Sequence, residues 1–281
     1  MCIAYLRFAP DEEWPLIVAA NRDEFQRRPT EIAHYWPDTP GLLAGRDQQA
    51  GGTWLGVHPQ NARFALVTNY RAPKEAAPTQ PISRGTLVRD FLVSADSAQD
   101  YLAKIAAQHE RYEGFNLIVG ANLAQPNAEL WYYSNRSGQA PEPLAPGEHL
   151  LSNHLLNSPW PKTERLRARI GAQRLTGKTA SKQSATHQPQ PLHKRAQCIF
   201  NALYDPTQAA EQELPRTGLT LKTEKQLSSI FIVGEQYGSR CSTALQINAQ
   251  GQGLFSEQSY GPNGQPTDRI DWPLNLRLAK H

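Results

Sequence analysis

Residues 2–25 read CIAYLRFAPDEEWPLIVAANRDEF, and this segment predicts both the first structural element and a reactive centre. Two short aliphatic runs flank the acidic turn at residues 11–13, which is the pattern of a β-hairpin. In an antiparallel hairpin the end of the second strand lies beside the start of the first. The sequence therefore predicts that Cys2 lies next to the polar quartet Asn21-Arg22-Asp23-Glu24.

The position of Cys2 favours a nucleophile. An arginine and two carboxylates beside a thiol can tune its ionisation, and only the thiolate is a good nucleophile. Cysteine is small enough for removal of Met1, which would expose an α-amine next to the thiol. That amine titrates near pH ~8 and can accept the thiol proton. In the alternative interpretation, Cys2 is a small buried hydrophobic residue and the quartet is a buried ion-pair network.

The composition is that of a soluble globular protein, with 281 residues, 39% hydrophobic and 20% charged. No apolar run approaches the ~18–20 residues of a membrane span, and the acidic turn interrupts any export-signal pattern. Three widely spaced cysteines without a CxxC pair predict a reducing cytoplasm rather than a disulfide framework or a cysteine-based zinc site. A net charge of +3 is too small to indicate nucleic-acid binding.

Hydrophobic periodicity predicts strands at both ends of the chain with helices between them. Helices are expected at about 84–93, 98–108, 162–172 and 194–203. Because no clean βαβ alternation occurs, the pattern indicates an α+β fold with mostly antiparallel sheets covered by helices.

Three further segments carry specific expectations. Residues 228–233 are apolar and predict a strand, whereas the Pro- and Gly-rich tail from Gly261 predicts irregular coil. Residues 173–192 are rich in Gln, Lys, Ser and Thr and predict a flexible insertion. The whole of 1–281 is expected to be a single domain.

An ordered set of short motifs spans nearly the whole chain: Met1-Cys2-Ile3, Ala19-Ala20-Asn21-Arg22-Asp23-Glu24-Phe25, Ala44-Gly45-Arg46-Asp47, Gly51-Gly52-Thr53-Trp54-Leu55-Gly56, Thr68-Asn69-Tyr70-Arg71, Ser83-Arg84-Gly85, Gly114-Phe115-Asn116-Leu117, Leu151-Ser152-Asn153 and Tyr237-Gly238-Ser239-Arg240. This set resembles the NRDE family, the family of the transport and Golgi organisation protein. The resemblance implies a four-layer αββα sandwich, similar to that of the N-terminal nucleophile (Ntn) hydrolases.

A more distant similarity, to the choloylglycine hydrolase and penicillin V acylase branch, implies roles for single residues. By position Cys2 matches the nucleophile, Asp23 the acid, Asn153 the oxyanion asparagine and Arg240 the late arginine. The branch places an arginine before the asparagine of the second strand, whereas Arg22 follows Asn21 here. Glu24 is an alternative acid.

Two functions follow, and both place a small molecule in one cleft. The first is a cysteine amidohydrolase in which Cys2 attacks the amide (C–N) bond of a small acylated substrate without a cofactor. The second is a non-catalytic carrier of haem or acyl-CoA, because the family resemblance implies intracellular haem trafficking and lipid homeostasis. A third interpretation is a structural protein. The residues expected to bind the ligand are Asn21, Arg22, Glu24, Arg46, Trp54, Asn69, Arg71 and Arg84, and no metal site is expected.

Overall fold

The computed structural model describes residues 2–71, 78–173 and 191–276, which form two antiparallel sheets with helices outside them. One sheet contains, in spatial order, Gly147–Leu151 (β10), Cys2–Phe8 (β1), Leu16–Phe25 (β2), Tyr237–Ile247 (β11), Gln252–Tyr260 (β12) and Pro266–Asn275 (β13). The other contains Thr30–Tyr35 (β3), Leu43–Asp47 (β4), Leu55–His58 (β5), Arg63–Asn69 (β6), Phe115–Ala121 (β7), Glu129–Ser134 (β8) and Glu142–Pro143 (β9). The helices are Arg84–Val93 (α1), Ala98–Ala106 (α2), Pro161–Ala172 (α3), Leu192–Leu203 (α4) and Leu221–Gln226 (α5).

Three buried apolar clusters hold the layers together. One lies between the sheets and includes Val18 and Leu66. The second joins α1 and α2 to the sheet that contains β6, through residues such as Phe91. The third joins α3 and α4 to the other sheet, with Ile17 and Phe200 among its members. The predicted αββα order is therefore confirmed, and burial on both faces explains why so many strands are almost wholly apolar.

The predicted hairpin is also confirmed. β1 pairs antiparallel with β2, and the register places Cys2 directly opposite Arg22. β2 is hydrogen-bonded on its other side to β11, where Cys241 is opposite the same arginine. The polar quartet thus ends an interior strand of the sheet.

Two predictions from local pattern are wrong. Residues 228–233 do not form a strand, because their main-chain groups form isolated hydrogen bonds instead of a ladder. The Ile230 carbonyl accepts from Asn21 Nδ2 at 2.9 Å, the Ile232 N–H donates to Ser239 Oγ at 2.9 Å, and the Phe231 N–H donates to the Asp205 carbonyl at 2.9 Å. The tail after Gly261 is not coil throughout, since β13 pairs with β12. An edge strand tolerates proline, which lacks the N–H that a ladder requires.

The predicted insertion at 173–192 falls mainly on residues 174–190, which lie outside the described residues. Of the helices that the structure describes, none has the length and apolar character needed to cross a membrane.

A carboxyl group is buried between the sheets. Glu257 in β12 is 1% exposed; its Oε1 accepts from the Ala33 N–H at 2.9 Å and its Oε2 from Thr243 Oγ1 at 3.3 Å. Burial raises the pKa of Glu257 to about 7, against the opposing effect of these hydrogen bonds. The folded protein therefore retains a proton that the unfolded chain releases near pH ~4.3.

This retained proton predicts a decline in stability as pH rises from ~4.3 to about 7, because the folded state binds more protons than the unfolded state over that range. Glu257→Gln keeps an acceptor for the Ala33 N–H but cannot ionise. Urea unfolding at pH 5 and pH 8 should show the variant gaining roughly 2–3 kcal/mol relative to the unmodified protein over that interval. The exposed Glu142 supplies the matched control, Glu142→Gln. Parallel profiles for Glu257→Gln and the unmodified protein would contradict the prediction.

Candidate active site

The quartet at the end of β2 is divided between two faces of its sheet. Side chains alternate along a strand, so Arg22 and Glu24 lie on one face and line a cavity at this end of the sandwich. Asn21 faces the helices and donates to the carbonyls of Leu203 at 3.1 Å and Ile230 at 2.9 Å. Asp23 reaches the cavity wall as well, and the Ser239 hydroxyl donates to its carboxylate at 2.6 Å.

The cavity has a volume of about 460 Å³. Its charged and thiol-bearing wall residues are Cys2, Arg22, Asp23, Glu24, Arg28, Asp47, Arg84 and Glu113. Its remaining wall residues include Thr53, Trp54, Val67, Asn69, Ile82 and Ser83. The described part of the cavity is thus mostly polar, with a thiol in its wall.

Cys2 is partly buried, and burial raises the pKa of its thiol. The charge of Asp23 acts in the same direction, whereas the charge of Arg22 and the main chain at Asp23 act against it. The Ser152 hydroxyl donates to the Cys2 carbonyl at 3.0 Å and fixes the main chain there. At neutral pH the sulfur is therefore a thiol that needs a base. Met1 lies outside the described residues, so its removal stays a prediction.

The three arginines of the cavity are balanced by carboxylates. Arg22 lies 3.4 Å from Asp47 and 3.8 Å from Glu24, measured between nitrogen and oxygen, and its guanidinium is 4.6 Å from the Trp54 ring centroid. Arg28 binds Asp47 at 2.7 Å. In the same way Arg84 pairs with Glu113 at 2.9 Å. The wall therefore offers both signs of charge, each held in place by the other.

One wall of the cavity depends on a close backbone contact. The Thr53 N–H donates to the Gly85 carbonyl at 3.1 Å, which joins the loop before β5 to the start of α1. A Cβ atom on Gly52 would lie 2.5 Å from the Gly85 carbonyl carbon, so only glycine fits there. This contact brings the Gly51-Gly52-Thr53-Trp54 and Ser83-Arg84-Gly85 motifs together in space.

Three of the expected arginines lie away from the cavity. Arg46 pairs with Asp38 at 2.7 Å and lies over Trp36, on the helix-facing side of β4. Arg71 forms a buried ion pair with Glu224 at 3.1 Å. Arg240 donates to the carbonyls of residues 25, 26 and 28, and so anchors the loop that carries Arg28.

Two of the three expected asparagines, Asn21 and Asn153, do not line the cavity. Asn21 supports the helix layer, as described above. Asn153 is fully buried, and its Nδ2 donates to the main-chain carbonyl of Asn69 at 3.1 Å. It is Asn69, another of the expected binding residues, that lines the cavity. Asn153 thus lies directly behind the wall.

Sequence reasoning missed Arg28, Asp47 and Glu113. The signal for Asp47 was present, because alternation along β4 puts Arg46 and Asp47 on opposite faces. Glu113 gave no such signal, since it reaches the cavity only through the packing of the segment after α2.

Comparisons with known proteins match most of the chain to one family. A family model described as Transport and Golgi organisation 2 matches residues 1–262. The chain is 32% identical over 273 residues to the Transport and Golgi organization 2 homolog of Mus musculus, covering 92% of this chain and 93% of that protein. It is 24% identical over 281 residues to the Transport and Golgi organization protein 2 of Drosophila melanogaster, covering 94% and 95%.

One solved structure, the Caenorhabditis elegans N-acylethanolamine-hydrolyzing acid amidase ortholog, aligns over 88% of this chain and 93% of its own. The identity is 10% and the TM-score is 0.45, a similarity too weak to transfer a site or an activity.

The electrostatics of Cys2 predict how it reacts with iodoacetamide. Because burial raises the pKa of the thiol, the alkylation rate of Cys2 should reach half its maximum above pH ~8.5, the ordinary thiol value. Arg22→Gln removes a nearby positive charge that lowers the pKa of the thiol, and it should therefore move that midpoint to higher pH. Mass spectrometry of the peptide that contains Cys2 provides the measurement. Arg46→Gln, outside the cavity, is the matched control; an equal shift in both variants would contradict the assignment.

Proposed function

The chain belongs to the Transport and Golgi organisation 2 family, and from that premise we propose that it is an Ntn-type amidohydrolase that uses Cys2 to cleave the amide bond of a small acylated substrate. The observation that carries the proposal is the position of Cys2. It is the first residue of β1, lies opposite Arg22, and lines a cavity of about 460 Å³. A thiol in a polar cavity is accessible to a carbonyl carbon, whereas a thiol enclosed by the core is not.

The proposed reaction starts with Cys2 as the amino-terminal residue, after removal of Met1. The α-amine accepts the thiol proton, and the sulfur bonds to the amide carbon, whose oxygen becomes an oxyanion. Collapse of this intermediate breaks the C–N bond, and the proton passes to the leaving amine. Water then attacks the thioester, releases the carboxylic acid and restores the thiol. A raised thiol pKa makes the amine necessary, because little thiolate exists without it.

Two groups near Cys2 are suited to supporting this chemistry. Asp23 is buried, it lines the cavity together with Cys2, and its carboxylate accepts from the Ser239 hydroxyl, so it can orient the amine. Asn69 lines the cavity, whereas Asn153 holds its main-chain carbonyl from behind. We therefore assign the oxyanion role to Asn69 and a positioning role to Asn153, in place of the sequence-based assignment.

A carrier of acyl-CoA is the second candidate function. The guanidinium groups of Arg22, Arg28 and Arg84 face one cavity, and guanidinium groups favour phosphate or carboxylate groups. Haem fits less well. No histidine is among the described residues that line the cavity, and the raised pKa of Cys2 disfavours a thiolate ligand.

We also propose that the protein is cytoplasmic, which its free thiols Cys2, Cys198 and Cys241 support.

The proposed activity requires an amino-terminal Cys2. Intact mass measurement should show a chain that lacks Met1, and that chain should hydrolyse a panel of coumarin amides with acetyl, hexanoyl and palmitoyl groups. Cys2→Ala should abolish turnover, because no other residue supplies the nucleophile, whereas Cys198→Ser, at a half-buried thiol on α4, should leave it unchanged.

Binding measurements on the same proteins distinguish the two candidates. A Met1-free protein that forms no acyl-enzyme on any amide, but retains acyl-CoA in Cys2→Ala, would contradict the hydrolase and favour the carrier. Retained Met1 would also exclude the proposed base.

A matched pair of asparagine variants tests the oxyanion assignment. Asn69→Ala should lower kcat by roughly 10²–10³-fold with KM and Tm nearly unchanged, because the donor acts only on the developing oxyanion. Asn153→Ala removes a buried hydrogen bond and should instead lower Tm. Steady-state kinetics and thermal unfolding give the two readouts. The reverse pattern would return the role to Asn153.

A further inference from the structure

Two charged side chains in the cavity wall retain hydrogen-bonding capacity that the protein itself does not use. The first is Glu24. Its Oε1 accepts from the Phe25 N–H at 2.9 Å, whereas its Oε2 accepts no hydrogen bond from the residues that the structure describes. The nearest nitrogens of Arg22 and Arg28 lie 3.8 and 3.9 Å from Oε2. These separations suit an ion pair but exceed the ~2.7–3.2 Å of a hydrogen bond.

The second side chain is Arg28, which is only partly engaged. Its Nε donates to Asp47 Oδ2 at 2.7 Å, but neither of its η nitrogens donates to any residue in the described ranges. Asp47 is fully occupied, because Oδ2 also accepts from Arg22 and Oδ1 accepts from two main-chain N–H groups. The cavity therefore presents one open acceptor, Glu24 Oε2, beside two open donors on Arg28.

The charges around these open groups restrict which ligand fits. Arg22 and Arg28 carry two positive charges, and Glu24 and Asp47 carry two negative charges, so this part of the wall is neutral. A purely anionic ligand on Arg28 would face the Glu24 carboxylate, and a purely cationic ligand on Glu24 would face two guanidinium groups. A ligand that carries an ammonium and a carboxylate together satisfies both open groups and leaves the charge balanced.

We propose that Glu24 and Arg28 form a subsite for the α-ammonium and α-carboxylate of an amino acid, and that the substrate is an amide of that amino acid's side-chain carboxyl group. The cleavage step rests on the proposed function, whereas binding of the two charged groups does not. Both charges of an α-amino acid lie on one carbon, which suits two side chains whose charged ends approach to 3.9 Å. Because both groups stay charged in the subsite, neither belongs to the scissile amide.

Arg22 connects the subsite to the thiol. It lies opposite Cys2 in the β1–β2 ladder, and Glu24 follows two residues later on the same face of β2. Residues at that spacing are separated by roughly 7 Å along a strand, so an aspartyl or glutamyl side chain has the length to place its amide carbonyl at Cys2. The sulfur bonds to that carbon, the C–N bond breaks as the proton passes to the leaving amine, and water releases the dicarboxylic amino acid from the thioester.

Four coumarin amides that differ only in their charged groups test the subsite on the unmodified protein. The γ-glutamyl amide carries both charges, the glutaryl amide only the carboxylate, the 4-aminobutyryl amide only the ammonium, and the butyryl amide neither. We expect kcat/KM for the γ-glutamyl amide to exceed each of the others by roughly tenfold or more, because each of those lacks a hydrogen bond to a charged group. Equal or faster cleavage of the butyryl amide overturns the subsite and leaves the hydrolase intact.

Matched variants assign each charge to its partner. Glu24→Gln should bring the γ-glutamyl and glutaryl amides to similar kcat/KM, because the ammonium loses its partner. Arg28→Gln should do the same for the γ-glutamyl and 4-aminobutyryl amides. Arg46→Gln, at a side chain that pairs with Asp38 outside the cavity, should preserve every preference. Unchanged preferences in both Glu24→Gln and Arg28→Gln overturn the assignment.

Binding to an inert protein separates this inference from the hydrolase proposal. Calorimetry of the same four amides on Cys2→Ala should give the lowest Kd for the γ-glutamyl amide, and Glu24→Gln in that background should remove the difference from the glutaryl amide. A protein that binds the γ-glutamyl amide preferentially but cleaves no amide retains the subsite and loses the hydrolase. Absence of that preference in folded Cys2→Ala overturns the subsite.

Discussion

The hydrogen bonding of β2 on both sides is the constraint on which the site depends. Because β11 pairs with all four residues of the quartet, and β1 with Asn21 and Arg22, the quartet must keep the pleat of a strand, and its side chains must alternate. Arg22 and Glu24 therefore face the cavity, and Asn21 faces the helix layer. The same pairing fixes Cys2 opposite Arg22. A loop with the same four residues would fix none of these positions.

The cavity is lined by paired positive and negative side chains rather than by charges of one sign. Each guanidinium that faces it is paired with a carboxylate, and Asp47 serves both Arg22 and Arg28. A paired half-buried charge costs less free energy of desolvation than an unpaired one, and the ion pair holds long side chains in one geometry. A ligand that enters this cavity meets preorganised donors and acceptors, which favours a small polar group near Cys2.

Behind the cavity, a second set of polar groups supports the first. Asn153 holds the main chain at Asn69, and Arg240 holds the loop that carries Arg28. Asn153 and Arg240, two of the four residues that the distant hydrolase resemblance assigns to catalysis, are in this way found one layer back from the wall, whereas Cys2 and Asp23 line the cavity. Such supporting contacts restrict the positions of the groups that touch a ligand, which is the usual requirement for precise chemistry.

Local pattern determined the hairpin, the helices at 84–93 and 162–172, the layered α+β architecture and the nearness of Cys2 to Arg22, because apolar periodicity and antiparallel pairing act over short segments. It did not determine which polar residues meet at the cavity. Arg28 and Glu113 reach their places through contacts between elements far apart in the chain, and β13 forms only because β12 presents an edge for it. Long-range packing decides which face of an element finds a partner, and that information is absent from any single segment.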